Sequence, residues 1–134
     1  MCLIVNERFQ TREEAIVASH KPLIAKKDIT VYKGLRRMIK GLYSKKERWL
    51  TPYKNFEFEK GYHYYQDNDT FGIYYSFSDY HWRIVIGAGL HACTKKARAR
   101  EHSKNVFKMV VPKGAKYFLN NLGEIVSTEL IWKN

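Results

Sequence analysis

Between residues 55 and 87 the chain alternates. Phe56 and Phe58, Tyr62 and Tyr64, then Phe71, Ile73, Tyr75 and Phe77, then Tyr80, Trp82, Ile84 and Ile86 stand two positions apart. A helix repeats its faces every 3.6 residues and a strand every two, so this spacing commits the stretch to β-structure with one apolar side. Turn-forming residues break it at Lys60-Gly61, Asn68-Asp69 and Ser78-Asp79, at hairpin-like distances. The pattern predicts a four-stranded meander. Its inward face carries Phe56, Phe58, Phe71, Ile73, Tyr75, Phe77, Trp82, Ile84 and Ile86.

The flanks add elements of both kinds. Thr11 with Glu14 three residues on is a capping box, and it predicts a helix over 11–19 that stops before Lys21-Pro22. Residues 29–33 read as a strand closed by Gly34, and residues 35–54 as a short helical turn followed by an exposed loop. Gly87-Ala88-Gly89 interrupts the meander by bending the backbone, and Thr94 then caps a second helix over 95–104 that packs through a narrow stripe around Ala97. Strands follow at 106–111, 115–119 and 124–132, around turns at 112–114 and 120–123. The sum is an α+β fold: an antiparallel-rich sheet of about six to eight strands with two short helices, in a single domain over residues 1–134.

Charge narrows the function classes. Lysine and arginine total 24 against 13 acids, a formal +11. Residues 26–54 concentrate the excess, with ten bases against two acids. Clustered positive charge raises the local concentration of polyanions without base-specific contacts. The residues expected to face nucleic acid, or another phosphate-rich or acidic partner, are Lys33, Arg36, Arg37, Lys40, Lys45, Lys46 and Arg48, joined by Lys95, Lys96, Arg98 and Arg100 on the second helix. The hydrophobic fraction of 45% is too high for a disordered tail. No apolar run approaches the length of a membrane span and the first residues turn charged too soon for a secretory leader, which predicts a cytoplasmic address, or a virion if the gene is a bacteriophage's. Cys2 and Cys93 are too few for a disulfide scaffold and read as thiols.

Other constellations carry less. Tyr65, Tyr74, Tyr80 and Trp82 are candidates for a base-stacking platform, although period-two aromatics more often fill a sheet's core. His91, Cys93 and His102 lack the spacing of a structural zinc site, so neither a metal nor a bound cofactor is expected. Gly87-Ala88-Gly89 lacks the third glycine and the lysine of phosphate-cradling loops. Cys2 is similar to the amino-terminal nucleophile of amidotransferases, but no glycine follows it.

Five segments taken in order have a further meaning: Val31-Tyr32-Lys33-Gly34, Phe58-Glu59-Lys60-Gly61, Gly89-Leu90-His91-Ala92-Cys93-Thr94, Val111-Pro112-Lys113-Gly114-Ala115-Lys116 and Glu124-Ile125-Val126. Their layout resembles ADP-ribosyltransferase-like domains. The resemblance implies NAD as cosubstrate and a catalytic set of Tyr32, His91, Thr94 and Glu124. The sequence departs from that family's pattern at Lys33, where arginine or histidine is usual, at Ala92-Cys93-Thr94 in place of a serine-rich triplet, and at Val126, where a second acid would stand. GLHAC and VPKGAKY also resemble runs in small proteins of bacterial and bacteriophage genomes.

The leading expectation is therefore a small basic accessory protein that binds nucleic acid or another acidic partner without catalysis. The alternatives are an NAD-cleaving enzyme and a structural or inhibitory protein-binding module.

Overall fold

The computed structural model describes residues 3–38, 48–50, 58–64 and 72–133. In chain order the elements are β1 (Leu3–Ile4), α1 (Arg12–Ser19), β2 (Leu23–Ile24), β3 (Ile29–Met38), β4 (Arg48–Leu50), β5 (Gly61–Tyr64), β6 (Ile73–Ser78), β7 (His81–Ile86), β8 (Leu90–Cys93), α2 (Lys96–Arg100), β9 (Asn105–Val111), β10 (Lys116–Leu119), β11 (Glu124–Ser127) and β12 (Glu129–Trp132). Every strand pair is antiparallel. With two short helices among the described residues, this is an α+β fold.

A small sheet runs in the order β1-β7-β6, and a large one in the order β2-β10-β11-β8-β3-β9-β12-β5, with β4 added on β3. Thr11 does cap α1, its hydroxyl accepting from the Glu14 amide at 3.2 Å. The meander is corrected. β6 and β7 form the predicted hairpin, yet β5 leaves them and pairs with β12. Two strands also extend or subdivide: β3 runs through Gly34 to Met38 where a short helical turn leading into a loop was expected, and the strand expected over 124–132 breaks at Thr128.

That break shapes the domain. In a flat sheet, neighbouring strands lie about 4.8 Å apart, so three intervening strands would set β11 and β12 about 19 Å apart. Yet Thr128 alone joins β11 to β12, and two Cα steps reach at most about 7.6 Å. The sheet therefore curls until one kinked strand serves both flanks, β11 pairing with β8 and β12 with β9. Inward-facing parity shifts by one residue at the kink: Ile125 faces in before it, Leu130 and Trp132 after it.

Two cores result. The interior of the curled sheet holds Val31, Leu35, Phe58, Ala92, Met109, Val111, Ile125, Leu130 and Trp132. Among its aromatics, Trp49 packs edge to face on Phe107 at 4.7 Å, Phe107 lies tilted on Trp132 at 4.9 Å, and Phe58 stacks on Trp132 at 6.1 Å between centroids. The second core lies outside the large sheet, where Phe118 and Val126 meet Leu3, Phe9, Ala15, Ile84 and Ile86 of the small sheet and α1. Trp82, Tyr75 and Ile73 pack against this second core as the alternation predicts, whereas Phe77 is 56% exposed. Phe56 and Phe71 lie outside the described residues. No helix among the described residues is long and apolar enough to cross a membrane.

Candidate functional site

The outer surface of β3 begins at Gly34. A Cβ there would sit 2.9 Å from the Ala99 carbonyl oxygen and 3.0 Å from the Ser103 Cβ, so α2 is seated directly on the strand. Ser103 pins the far end of this contact by donating its hydroxyl to the Leu35 carbonyl at 2.7 Å. The helix is shorter than expected. It begins at Lys96 with no side-chain cap, because the Thr94 hydroxyl donates instead to the Gly123 carbonyl at 3.1 Å, and its buried residue is Ala99, not Ala97.

This seating joins the two basic segments. Directly opposed residues on antiparallel strands share a face. Gly34 opposes Val106 and Tyr32 opposes Lys108, so Lys108 stands on the outer face beside α2, together with Arg36. Arg36, Arg37, Lys95, Lys96, Arg100, Lys104 and Lys108 are all exposed. Arg48 stands on β4, while Lys40, Lys45 and Lys46 lie outside the described residues.

Two of the expected phosphate contacts have other roles. Lys33 points into the curled sheet between Val31 and Leu35. β3 and β8 pair only at Tyr32 and Cys93, and where that ladder stops the Lys33 ammonium donates to the His91 carbonyl and lies 5.3 Å from the centre of the Phe58 ring. Burial pushes its pKa down to about 8. Arg98 is tied up beneath the helix, paired with Glu101 and 3.6 Å from Glu124.

The expected catalytic residues gather in part. Tyr32, Cys93 and Glu124 form one cross-strand row on β3, β8 and β11, with His91 two residues along β8 on the same face. Thr94 is outside the row, held by Gly123. The Glu124 carboxylate, 6% exposed, accepts from Asn120 Nδ2 at 2.9 Å and faces Arg98. Asn120 Oδ1 in turn accepts from the amides of Leu122 and Glu124, so this network builds the β10–β11 turn. Burial, followed by the Lys33 charge, pushes His91 down to about 4. Burial first and Glu124 second push the Cys93 thiol up to about 11, which leaves it a protonated, unreactive thiol near neutrality. Among the described residues no cluster of histidine, cysteine and acid is arranged to hold a metal. Cys2 lies outside them.

Beyond β3 the outer face continues across β9, β12 and β5. Thr30 opposes Val110, Val110 opposes Ile131, and Ile131 opposes Tyr62, giving one row across β3, β9, β12 and β5. Tyr64 follows beside Glu129, and the two tyrosines are 58% and 50% exposed. The Tyr62 hydroxyl donates to Glu129, a bond that pushes its pKa up to about 12.

Of the aromatics singled out from the sequence, Tyr80 is 90% exposed on the β6–β7 turn, Tyr74 is half exposed, and Trp82 packs on the second core. Tyr65 lies outside the described residues. Tyr62 and Tyr64 were the ones missed. Their alternation was visible, but the residue that this strand turns inward is His63, stacked on Phe58 at 4.1 Å. Compared with known proteins, the chain matches no family model, no curated protein and no solved structure.

Proposed function

We propose that this protein binds nucleic acid or another phosphate-rich polymer, without transforming it, through the basic outer surface around α2 and β3. The observation that carries the reading is the seating of α2 on Gly34, which turns two basic segments some sixty residues apart into one field. Two acids beside that helix are already engaged: Glu101 pairs with Arg98, and the buried Glu124 lies 3.6 Å from the same guanidinium. Each phosphate neutralised by such a surface releases counterions, so affinity falls steeply with salt. The test is fluorescence anisotropy of a labelled oligonucleotide at several salt concentrations. Wild type should bind with a strongly negative salt slope, and reversal of Lys96, Arg100, Lys104 and Lys108 to glutamate should abolish binding at moderate salt. Salt-independent binding, or none, refutes the proposal.

One observation favours a second reading, cleavage of NAD: the shared row of Tyr32, Cys93 and Glu124 with His91 alongside. It stands second because Glu124 is held by Asn120 and Arg98. Its requirement is nicotinamide release by the purified protein, lost in Glu124→Gln.

A further inference from the structure

We propose that the outer face of β9, β12 and β5 is a stacking platform for the unpaired bases of single-stranded nucleic acid, with the exposed Tyr62 and Tyr64 as the stacking rings. The inference rests on the polyanion reading above and deepens it. It names the form of the polymer and the direction in which it lies.

Three observations converge. The first is where the rings stand. β5 turns His63 into the interior against Phe58, and it turns Tyr62 and Tyr64 outward, both at least half exposed. The core gains little from rings so exposed, yet they sit on a paired strand that fixes their spacing. The second is orientation. The Tyr62 hydroxyl is tied to Glu129 on the neighbouring strand, which holds the ring in place over the row formed with Ile131 and Val110. A ring fixed in advance loses little entropy when a base stacks on it.

The third is charge. Along the face, the rows on one side of Thr30–Val110–Ile131–Tyr62 lead through Tyr32 and the exposed Lys108, then the uncharged Gly34–Val106 pair, to the exposed bases Arg36, Lys104, Lys96 and Arg100. The other side holds Tyr64 opposite Glu129, which is bonded to Tyr62, and Asp28, whose carboxylate accepts from the Lys113 amide. A bound strand therefore lays its phosphates toward α2 and its bases toward β5. A duplex hides its base faces and cannot use the tyrosines. An acidic protein would use the bases of the rim and leave the rings idle.

The experiment compares a labelled single strand of about twelve nucleotides with the duplex of the same sequence. It uses wild type, Tyr64→Ala, Tyr62→Ala/Tyr64→Ala, Tyr64→Phe and the charge-reversed Arg100→Glu/Lys108→Glu. Both tyrosines are exposed, so an unchanged melting temperature confirms that the tyrosine variants fold. The single strand is expected to bind more tightly than the duplex. Each tyrosine-to-alanine change should weaken single-strand binding about tenfold or more with the salt slope unchanged, whereas the charge variant should flatten the slope. Tyr64→Phe, which keeps the ring, should bind like wild type. Single-strand binding by both alanine variants at wild-type strength overturns the platform and leaves the polyanion reading standing. So does equal affinity for duplex and single strand, or equal affinity for polyglutamate. Absence of any salt-dependent binding by wild type overturns both.

Discussion

Replacing Gly34 by alanine adds one methyl group, and two effects of opposite sign compete. Glycine in a strand is entropically costly in the unfolded state, so alanine at a site without steric conflict would stabilise the protein by about 0.4–1 kcal/mol. Gly34 is a normal extended residue, absent from the positive-φ positions, so no backbone strain opposes the change. Contact does. The new Cβ would stand 2.9 Å from the Ala99 carbonyl oxygen, 3.0 Å from the Ser103 Cβ and 3.2 Å from the Ser103 amide nitrogen. All three are backbone or backbone-fixed atoms of the α2 segment, and none can swing aside as a side-chain tip would. Relief requires lifting α2, at the overpacking cost of about 1–3 kcal/mol. The clash outweighs the entropy gain, and net destabilisation is about 1–2 kcal/mol. For a domain of this length that lowers Tm by roughly 4–8 °C. Urea denaturation and differential scanning calorimetry on matched samples read it directly, and oligonucleotide affinity should fall in parallel because the helix charges leave the sheet. An alanine variant that melts at or above wild type would show that α2 does not sit on β3 as described.

Three further outcomes are expected. Trp82→Ala, removing a ring packed on the second core and 5.2 Å from Phe77, should cost about 3 kcal/mol in urea unfolding. Tyr80→Gly relieves a bulky residue at φ 65 on a turn where it is almost fully exposed, so Tm should rise by a few degrees, equivalent to about 1 kcal/mol. His91 has its folded pKa depressed to about 4, so between pH 6.5 and 4 the unfolded chain binds more protons. Stability should therefore fall as pH drops through that window, by up to about 3 kcal/mol, and His91→Gln should flatten this part of the pH–stability profile.

How much of this was legible depended on the range of the interaction. The α1 cap, the β6–β7 hairpin and the sides taken by Ile84 and Ile86 are local matters of spacing and turn chemistry, and the sequence displays them. Pairing partners are not local. The same alternation at Tyr62 and Tyr64 fits a strand beside β6 or beside β12, and nothing in residues 61–64 selects β12. Gly34 looked like a strand end because glycine commonly is one, and only the arrival of Ala99 from sixty-five residues away explains why it lies mid-strand. At the site, the charge field was visible as composition. Burial of Lys33 and the pairing of Arg98 with Glu124 were not, since both depend on which strand lies alongside.

The kink at Thr128 bears on how the domain comes into being. Residues 124–132 complete the pairing of β8 on one side and of β9 and β5 on the other, yet they follow all of these in the chain. Until they arrive, β8 and β9 are both open edges, the kind of unpaired backbone that seeds association with other chains. A chain released before Glu124 would carry two such edges, and one ending at Thr128 would still carry the second. Non-local pairing of this kind also folds slowly. Expression trials that end the protein at or before Thr128 should accordingly yield insoluble product, even though few residues are removed and, of these, Glu124 is the one ion-paired to the basic helix.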